Sequence, residues 1–428
     1  MNGVVSGFLF LGALALIFSE KLHRTISAVV GAALMVAAGL ALGFYTEEQA
    51  VASIDFETLG LLLGMMLLVS LLQPTGYFEY LAIQAARLSR GRPVRLFILL
   101  GTVTTVLSMF LDNVTTVVLI APVTILISEI LGINPVPYLM AEALLSNTGG
   151  VGTLVGDPPN VLIGSQAGLT FDDFLRNSLP IVIVVWFLVL GLLLFLFRRD
   201  LRDAPAGIAA VQNLQPDKAL NEPEAARRVL IVLGAAILLF FVHHLLHISP
   251  AFIALSAAAV AMVWVRPDVH NLFARLEWSV LIFFMALFVM VGGLEAAGLL
   301  ERVAEMIGAI GGTHPALLGV ELIWVVAILS AVVDNIPITI ALIPVIEELG
   351  VAGIDIGPLW WALAFGAGFG GNGTIIGSTA NIIVVSLSER TERPITAASW
   401  MRCGLPTMIL ACAIASILYV IFLPVFSR

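Results

Sequence analysis

GGVGTLVGDPPN, Gly149–Asn160, places four glycines, two prolines and a carboxylate between apolar runs of the chain. In hydrocarbon every backbone N–H and C=O needs an internal partner, so non-helical backbone survives only where it lines a cavity or is buried in protein. Glycine lowers the barrier to unwinding, and Pro158 and Pro159 remove two donors. Gly149–Gly156 therefore reads as a break between two half-helices. The free carbonyls ending the first suit cations, and the free N–H groups starting the second suit anions.

The stretch has a double. Gly370–Asn381 reads GGNGTIIGSTAN and repeats Gly, Gly, Gly, Thr, Gly and Asn at the same offsets. Upstream stand a second pair, LDNVTTVVLIAPV from Leu111 and VDNIPITIALIPV from Val333, with Asp112 and Asp334 222 positions apart. The same shift lays Thr75–Ala82 over Ala297–Ala304 and Ile26–Ser27 over Ile248–Ser249. Two motifs in one order at nearly one spacing define an internal repeat. Paired breaks in corresponding positions of two halves are the sequence pointer to a transporter binding site near the bilayer midplane.

Composition supports that setting. The 428 residues are 60% hydrophobic and 11% charged, with mean hydropathy +1.06. Soluble domains carry about 25% charged residues. Val4–Ser19, Ala28–Phe44, Thr58–Gln73, Ile181–Phe197, Val229–Phe241, Ala251–Val265, Val280–Gly292 and Met408–Phe422, with their flanks, each approach the ~20 residues of a spanning helix. The class is an all-α polytopic membrane protein. The first run lacks a basic leader and a small-residue cleavage site and reads as a span. Cys403 and Cys412 show neither metal nor disulfide spacing. With no phosphate loop, nucleophile elbow or HExxH motif, an enzyme or ATP-driven pump is not expected, and nothing suggests a nucleic-acid partner.

Orientation follows from Lys and Arg in short loops. Lys21, Arg24, Arg87, Arg90, Arg92 and Arg95 fall on one side. Glu47, Glu48 and Asp55 fall on the other. Reading the two Asp-Asn segments as re-entrant hairpins brings Arg198, Arg199, Arg202, Lys218, Arg227, Arg228, Arg266, Arg275, Arg390, Arg393 and Arg402 to the basic side. The expectation is ten crossings, two hairpins, two broken helices and both termini outside a cell (inner) membrane. Residues 1–197 form a first inverted repeat, with 1–95 mainly scaffold and 96–168 carrying hairpin and broken helix. Residues 198–228 form a cytoplasmic linker. Residues 229–428 form the second repeat, with 316–387 matching 96–168.

The candidate ligands lie at the tips and breaks. Asp112, Asn113, Asp334 and Asn335 stand mid-segment, where an ionised Asp costs roughly 2.5–3.5 kcal/mol on insertion scales. They line the site, cap the second hairpin arm, or do both. Thr115, Thr116 and Thr339 offer hydroxyls or back-bond their own helices. Asn147, Thr148, Gly149, Gly150, Thr153 and Asn160 belong to the first break, after Ser146. Gly370, Gly371, Asn372, Thr374, Ser378 and Asn381 belong to the second. Asp157, opposite Ser378, reads first as a cap of the second half-helix at the edge of the site. Glu142 either relays protons or faces a polar crevice passively. His243, His244 and His247 read as interfacial rather than metal-binding, and Trp324, Trp360 and Trp361 as interface anchors.

LDNVTTVVLIAPVTILISEILGINP, GGVGTLVGDPPNVLIGS, DNIPITIALIPV and LAFGAGFGGNGTIIGSTANIIV together resemble the ArsB/NhaD permeases of the ion transporter superfamily, nearest the P protein (pink-eyed dilution) branch. The resemblance implies a homodimer with scaffold and elevator-like transport domains. It implies no cofactor, with H+ or Na+ as coupling ion and a small inorganic solute or ion as substrate. An energising ATPase partner stays open. Superfamily dicarboxylate transporters carry Ser-Asn-Thr at the tips, where this chain has Asp112-Asn113-Val114 and Asp334-Asn335-Ile336. Two added carboxylates repel a dicarboxylate unless protonated. Arsenite or anion efflux is the leading expectation, sodium/proton antiport the second, and a passive anion channel a third.

Overall fold

A computed structural model describes residues 2–18, 22–202, 207–301 and 315–426. Lys21, the Ser19 end of the first apolar run and residues 302–304 of the aligned segments lie outside them. Among the described residues every regular element is helical, and seven helices are long and apolar enough to cross a membrane.

The longer helices of the first half are α1 (Asn2–Phe18), α2 (Arg24–Leu42), α3 (Phe56–Leu72), α4 (Tyr77–Ser89), α5 (Pro93–Ser108), α6 (Asn113–Leu131), α7 (Val136–Gly150), α8 (Pro158–Ala167) and α9 (Leu179–Leu196). Those of the second are α10 (Pro223–Leu246), α11 (Pro250–Val265), α12 (Trp278–Ala296), α13 (Pro315–Val332), α14 (Asn335–Val351), α15 (Gly357–Gly370), α16 (Thr379–Ser388) and α17 (Ala397–Phe426). Each of the eight apolar runs coincides with one helix. Six of these reach spanning length, α1 and α11 are shorter, and α6 is the seventh.

Packing recurs at the repeat offset. α2 lies on α12 and α3 on α11, so equivalent helices exchange partners between the halves. α5 packs on α7 as α13 packs on α15. After each break the chain crosses over: α8 packs on α14 and α16 on α6. Both Asp-Asn tips and both breaks are thereby drawn to one place.

The breaks start later than the glycines suggest. Gly149, Gly150 and Gly370 are helical, and the unwound stretches are residues 151–157 and 371–378. No glycine in either stretch has a positive φ. What these glycines provide is close backbone approach. A Cβ on Gly149 would sit 2.9 Å from the Thr105 carbonyl oxygen, and one on Gly370 2.6 Å from that of Ala327. Ser108 Oγ then donates to the Ser146 carbonyl at 2.8 Å, and Ser330 Oγ to that of Ala367 at 2.7 Å. Each seam between hairpin arm and broken helix is closed the same way.

Two sequence readings are corrected by burial. Trp360 and Trp361 are core residues rather than interface anchors, with the Trp361 ring 5.0 Å from Phe174 and 5.9 Å from Phe426. His243 is buried with Nδ1 3.0 Å from the Phe240 carbonyl, while His244 and His247 are exposed. Cys403 and Cys412 are free and buried.

Candidate functional site

Each tip ends a helix pair at an Asp that precedes the second arm, but the two aspartates differ. Asp112 is a working N-cap: Oδ1 accepts from the Thr115 N–H at 2.8 Å and Oδ2 from the Thr115 hydroxyl at 2.5 Å. Asp334 makes no cap bond. Its Oδ2 accepts from Arg24 Nη1 at 2.9 Å and from the Thr379 hydroxyl at 3.0 Å, and Arg24 Nη1 also reaches Thr379 Oγ1 at 2.6 Å. Arg24 was counted in the sequence among loop charges. Asp157 departs from the cap reading as well. It precedes α8 without a side-chain cap bond and accepts from Asn335 Nδ2 at 3.0 and 3.3 Å. It is 2% exposed and has no ion-pair partner among the described residues.

Behind these groups Asn147 joins the halves. Its Nδ2 donates to Asn372 Oδ1 at 3.1 Å and Asn381 Oδ1 at 3.0 Å. Its Oδ1 accepts from Asn113 Nδ2 and Ser378 Oγ, each at 3.0 Å. Asn372 Nδ2 donates to Thr148 Oγ1 at 3.3 Å. The closing asparagines knit the breaks. Asn160 Nδ2 donates to the carbonyls of Gly150 and Thr153 at 3.0 and 2.8 Å, and Asn381 Nδ2 to those of Gly371 and Thr374 at 2.8 and 2.9 Å. Thr153 and Thr374 donate to the Met109 and Ala331 carbonyls on the hairpins.

A cavity of about 50 Å³ opens where the tips and breaks meet, between Asp112, Asn113, Thr115, Asp157, Asp334, Asn335 and Ser378. Arg24, Glu277 and Thr379 line it too, and none of the three had been singled out as a candidate ligand. Glu277 occupies the position of Asp55 at the repeat offset, which was the available signal. The other candidates stand off the cavity. Thr339 back-bonds the Asn335 carbonyl at 2.8 Å, and the Thr116 hydroxyl has no hydrogen-bond partner among the described residues. Asn147, Thr148, Thr153, Asn160, Asn372, Thr374 and Asn381 form the supporting network described above. Gly149, Gly150, Gly370 and Gly371 provide the close contacts. Among the described residues no three His, Cys, Asp or Glu side chains converge tightly enough to hold a metal ion. Four carboxylates against one guanidinium leave the lining strongly acidic.

A many-spanned helical bundle with paired breaks and an acidic central cavity defines a multi-pass membrane transporter rather than an enzyme. A family model described as citrate transporter matches residues 14–366, and the chain belongs to that family. It is 38% identical to a 46 kDa membrane protein of Mycobacterium leprae over 97% of each chain. It is 39% identical to an uncharacterized transporter of Mycobacterium tuberculosis over 94% of each. The human P protein is 33% identical over 94% of this chain and 58% of that one. The Alcanivorax borkumensis YdaH transporter has a similar fold, with TM-score 0.60 over 99% of this chain and 98% of its own at 16% identity. These matches support the citrate transporter family and a likeness to the P protein, and they do not confirm the motif likeness to ArsB/NhaD permeases.

Proposed function

We propose that the chain is an ion-coupled secondary transporter that exchanges a small cation, Na+ by preference, for protons. Asp157 is the proton-carrying group. The carrying observation is its setting: a buried carboxylate on the central cavity that receives one amide and neither a cation nor a backbone N–H. Asp334 is already engaged by Arg24 and Asp112 by the first turn of its own helix, which leaves Asp157 as the fully buried carboxylate of the lining with an amide as its partner. Carboxylates that do not converge into a cage suit protonation better than permanent metal binding.

The exchanged packing of α2, α3, α11 and α12 supports two inverted repeats, ten crossings and two re-entrant hairpins. The crossing-over of α8 and α16 supports a transport unit built from residues 96–168 and 316–387 that moves against the scaffold in an elevator-like manner. Residues 198–228 would then be cytoplasmic, both termini outside an inner membrane, and the assembly a homodimer. Citrate and other anions fit less well. The single cation on the lining is engaged by Asp334, and about 50 Å³ is room for one or two waters or an ion rather than a tricarboxylate. Arsenite efflux rests on the motif likeness alone, and both thiols lie in α17, off the cavity lining. The test is purified protein in proteoliposomes under an imposed pH gradient, with Na+, arsenite, citrate and Cl⁻ offered separately. Na+-driven proton flux is expected. Movement of arsenite or citrate without it would replace this reading.

A further inference from the structure

We propose that Glu142 is a second proton-binding site of the transporter, set on the seam between hairpin arm α6 and broken helix α7 and outside the central cavity. The proposal rests on the proton coupling argued above. Glu142 is fully buried in mid-helix. Its Oε1 accepts from Thr124 Oγ1 of α6 at 2.5 Å, and its Oε2 has no hydrogen-bond partner. An ionised carboxylate can accept about four hydrogen bonds and is costly to bury with one. A carboxylic acid needs far less, so the seam accommodates the neutral form and strains against the charged one.

The seam does not need a carboxylate in order to pack. At the equivalent contact of the second half, Glu142 is replaced by Leu363 and Thr124 by Ile346, both buried. The difference extends along α6. Thr116, Thr124 and Ser128 follow at spacings of two helical turns and one, on one face that begins at the tip residue Asn113. Their counterparts on α14 are Ile338, Ile346 and Gly350. Thr116 Oγ1 and Ser128 Oγ are also buried without a partner. The seam of the first half thus carries a column of hydroxyls and one acid where its twin is apolar. Half of the buried side-chain atoms without partners among the described residues belong to it.

Among the described residues no charged group pairs with Glu142. The helices packed against α7 carry Arg95 on α5, Glu129 on α6 and Arg402 on α17, with Cys403, Cys412 and Tyr419 also on α17. None of them forms an ion pair or hydrogen bond with Glu142. Tyr138, one turn earlier on α7, donates to the Pro93 carbonyl at 3.4 Å. The reaction is simple: Glu142 carboxylate takes one proton to become the acid, and releases it when the seam opens to water. A proton on Glu142 therefore favours the hairpin seated on α7, and its loss favours separation. This links proton binding to hairpin position.

The experiment uses the full chain in proteoliposomes and as purified protein. Glu142→Gln is compared with wild type and with the double variant Glu142→Leu/Thr124→Ile, which installs the pair the second half already packs. In wild type, infrared difference spectra across a pH titration should contain a protonated-carboxyl band that both variants lose. The pH of half-maximal Na+-driven proton flux should move by about one unit or more in both, with KM for Na+ unchanged. An unaltered carboxyl band and pH profile would overturn the proposal. Asp157→Asn is run alongside. If it abolishes coupled flux while Glu142→Gln changes nothing, only the second site is refuted. If Asp157→Asn leaves flux intact, Asp157 is not the proton carrier, and if wild type itself shows no Na+-driven proton flux, the proton-coupled reading fails.

Discussion

Arg24 Nη1 lies 2.9 Å from Asp334 Oδ2, a contact between residues 310 positions apart that ties the start of α2 to the second hairpin tip. The same nitrogen reaches Thr379 in the first turn of α16, so one guanidinium holds the start of α2, the second Asp-Asn tip and the second break together. Removing one member of a partly buried pair leaves the other desolvated and unpaired. Arg24→Gln is therefore expected to lower Na+-driven proton flux by about tenfold or more, which corresponds to about 1.4 kcal/mol. Reversing the pair with Arg24→Asp/Asp334→Arg should recover part of the loss. Flux assays on the reconstituted variants decide this, and an unchanged Arg24→Gln would remove the pair from the transport cycle.

Asn147 satisfies four partners, one at the first tip and three at the second break. Asn147→Leu strands Asn113, Ser378, Asn372 and Asn381 at once. Each buried polar group left unsatisfied costs about 1–3 kcal/mol, so the variant should lose at least about 3 kcal/mol of stability. Thermal unfolding in detergent measures this. Asn147→Asp, which keeps the acceptor side, should lose less.

The glycines of the breaks are expected to fail for steric reasons. Gly149→Ala and Gly370→Ala push a methyl group against backbone carbonyl oxygens of α5 and α13, where little can yield. Overpacking of this kind costs about 1–3 kcal/mol. Gly191→Ala in α9 is the control, because a Cβ there meets nothing within 4 Å. It should be neutral or stabilising by up to about 1 kcal/mol through helix propensity. Equal effects of all three would contradict the close-approach explanation.

The residues that close the two breaks differ, which gives a further expectation. Ser378 fills the place in the second break that Asp157 fills in the first, and both precede a half-helix with extended backbone. Asp157→Ser should therefore fold and retain its melting temperature while losing proton coupling. The matching exchange, Ser378→Asp, adds a second buried carboxylate beside Asn147 Oδ1 and should destabilise. Melting curves and flux measured on the same preparations separate the two effects.

Much of the architecture could be read from the residues. The GG-x-GT and Asp-Asn pairs marked both breaks and both tips, because glycine clusters and carboxylates inside apolar sequence are rare and local. Contacts between distant segments left no such mark. Arg24 stands at the head of an apolar run, where Arg usually marks a loop, and nothing nearby in sequence reveals that it faces Asp334. Asp157 before Pro158 has the local form of a helix cap, and Asn335, 178 positions away, turns it inward instead. The glycines were expected to unwind the backbone, yet what they permit is the close approach of a neighbouring helix, which depends on tertiary packing. Trp360 and Trp361 matched the pattern of interface anchors, and their burial follows from the position of α15 between α13 and α17.

The central claim is that Asp157 carries the transported proton. The most direct measurement is proton flux into proteoliposomes on addition of Na+, for wild type and Asp157→Asn across a range of pH. Wild type should show Na+-driven flux that rises and falls with pH. Asp157→Asn should keep its melting temperature and show no coupled flux at any pH. Coupled flux with a wild-type pH profile in Asp157→Asn would contradict the account.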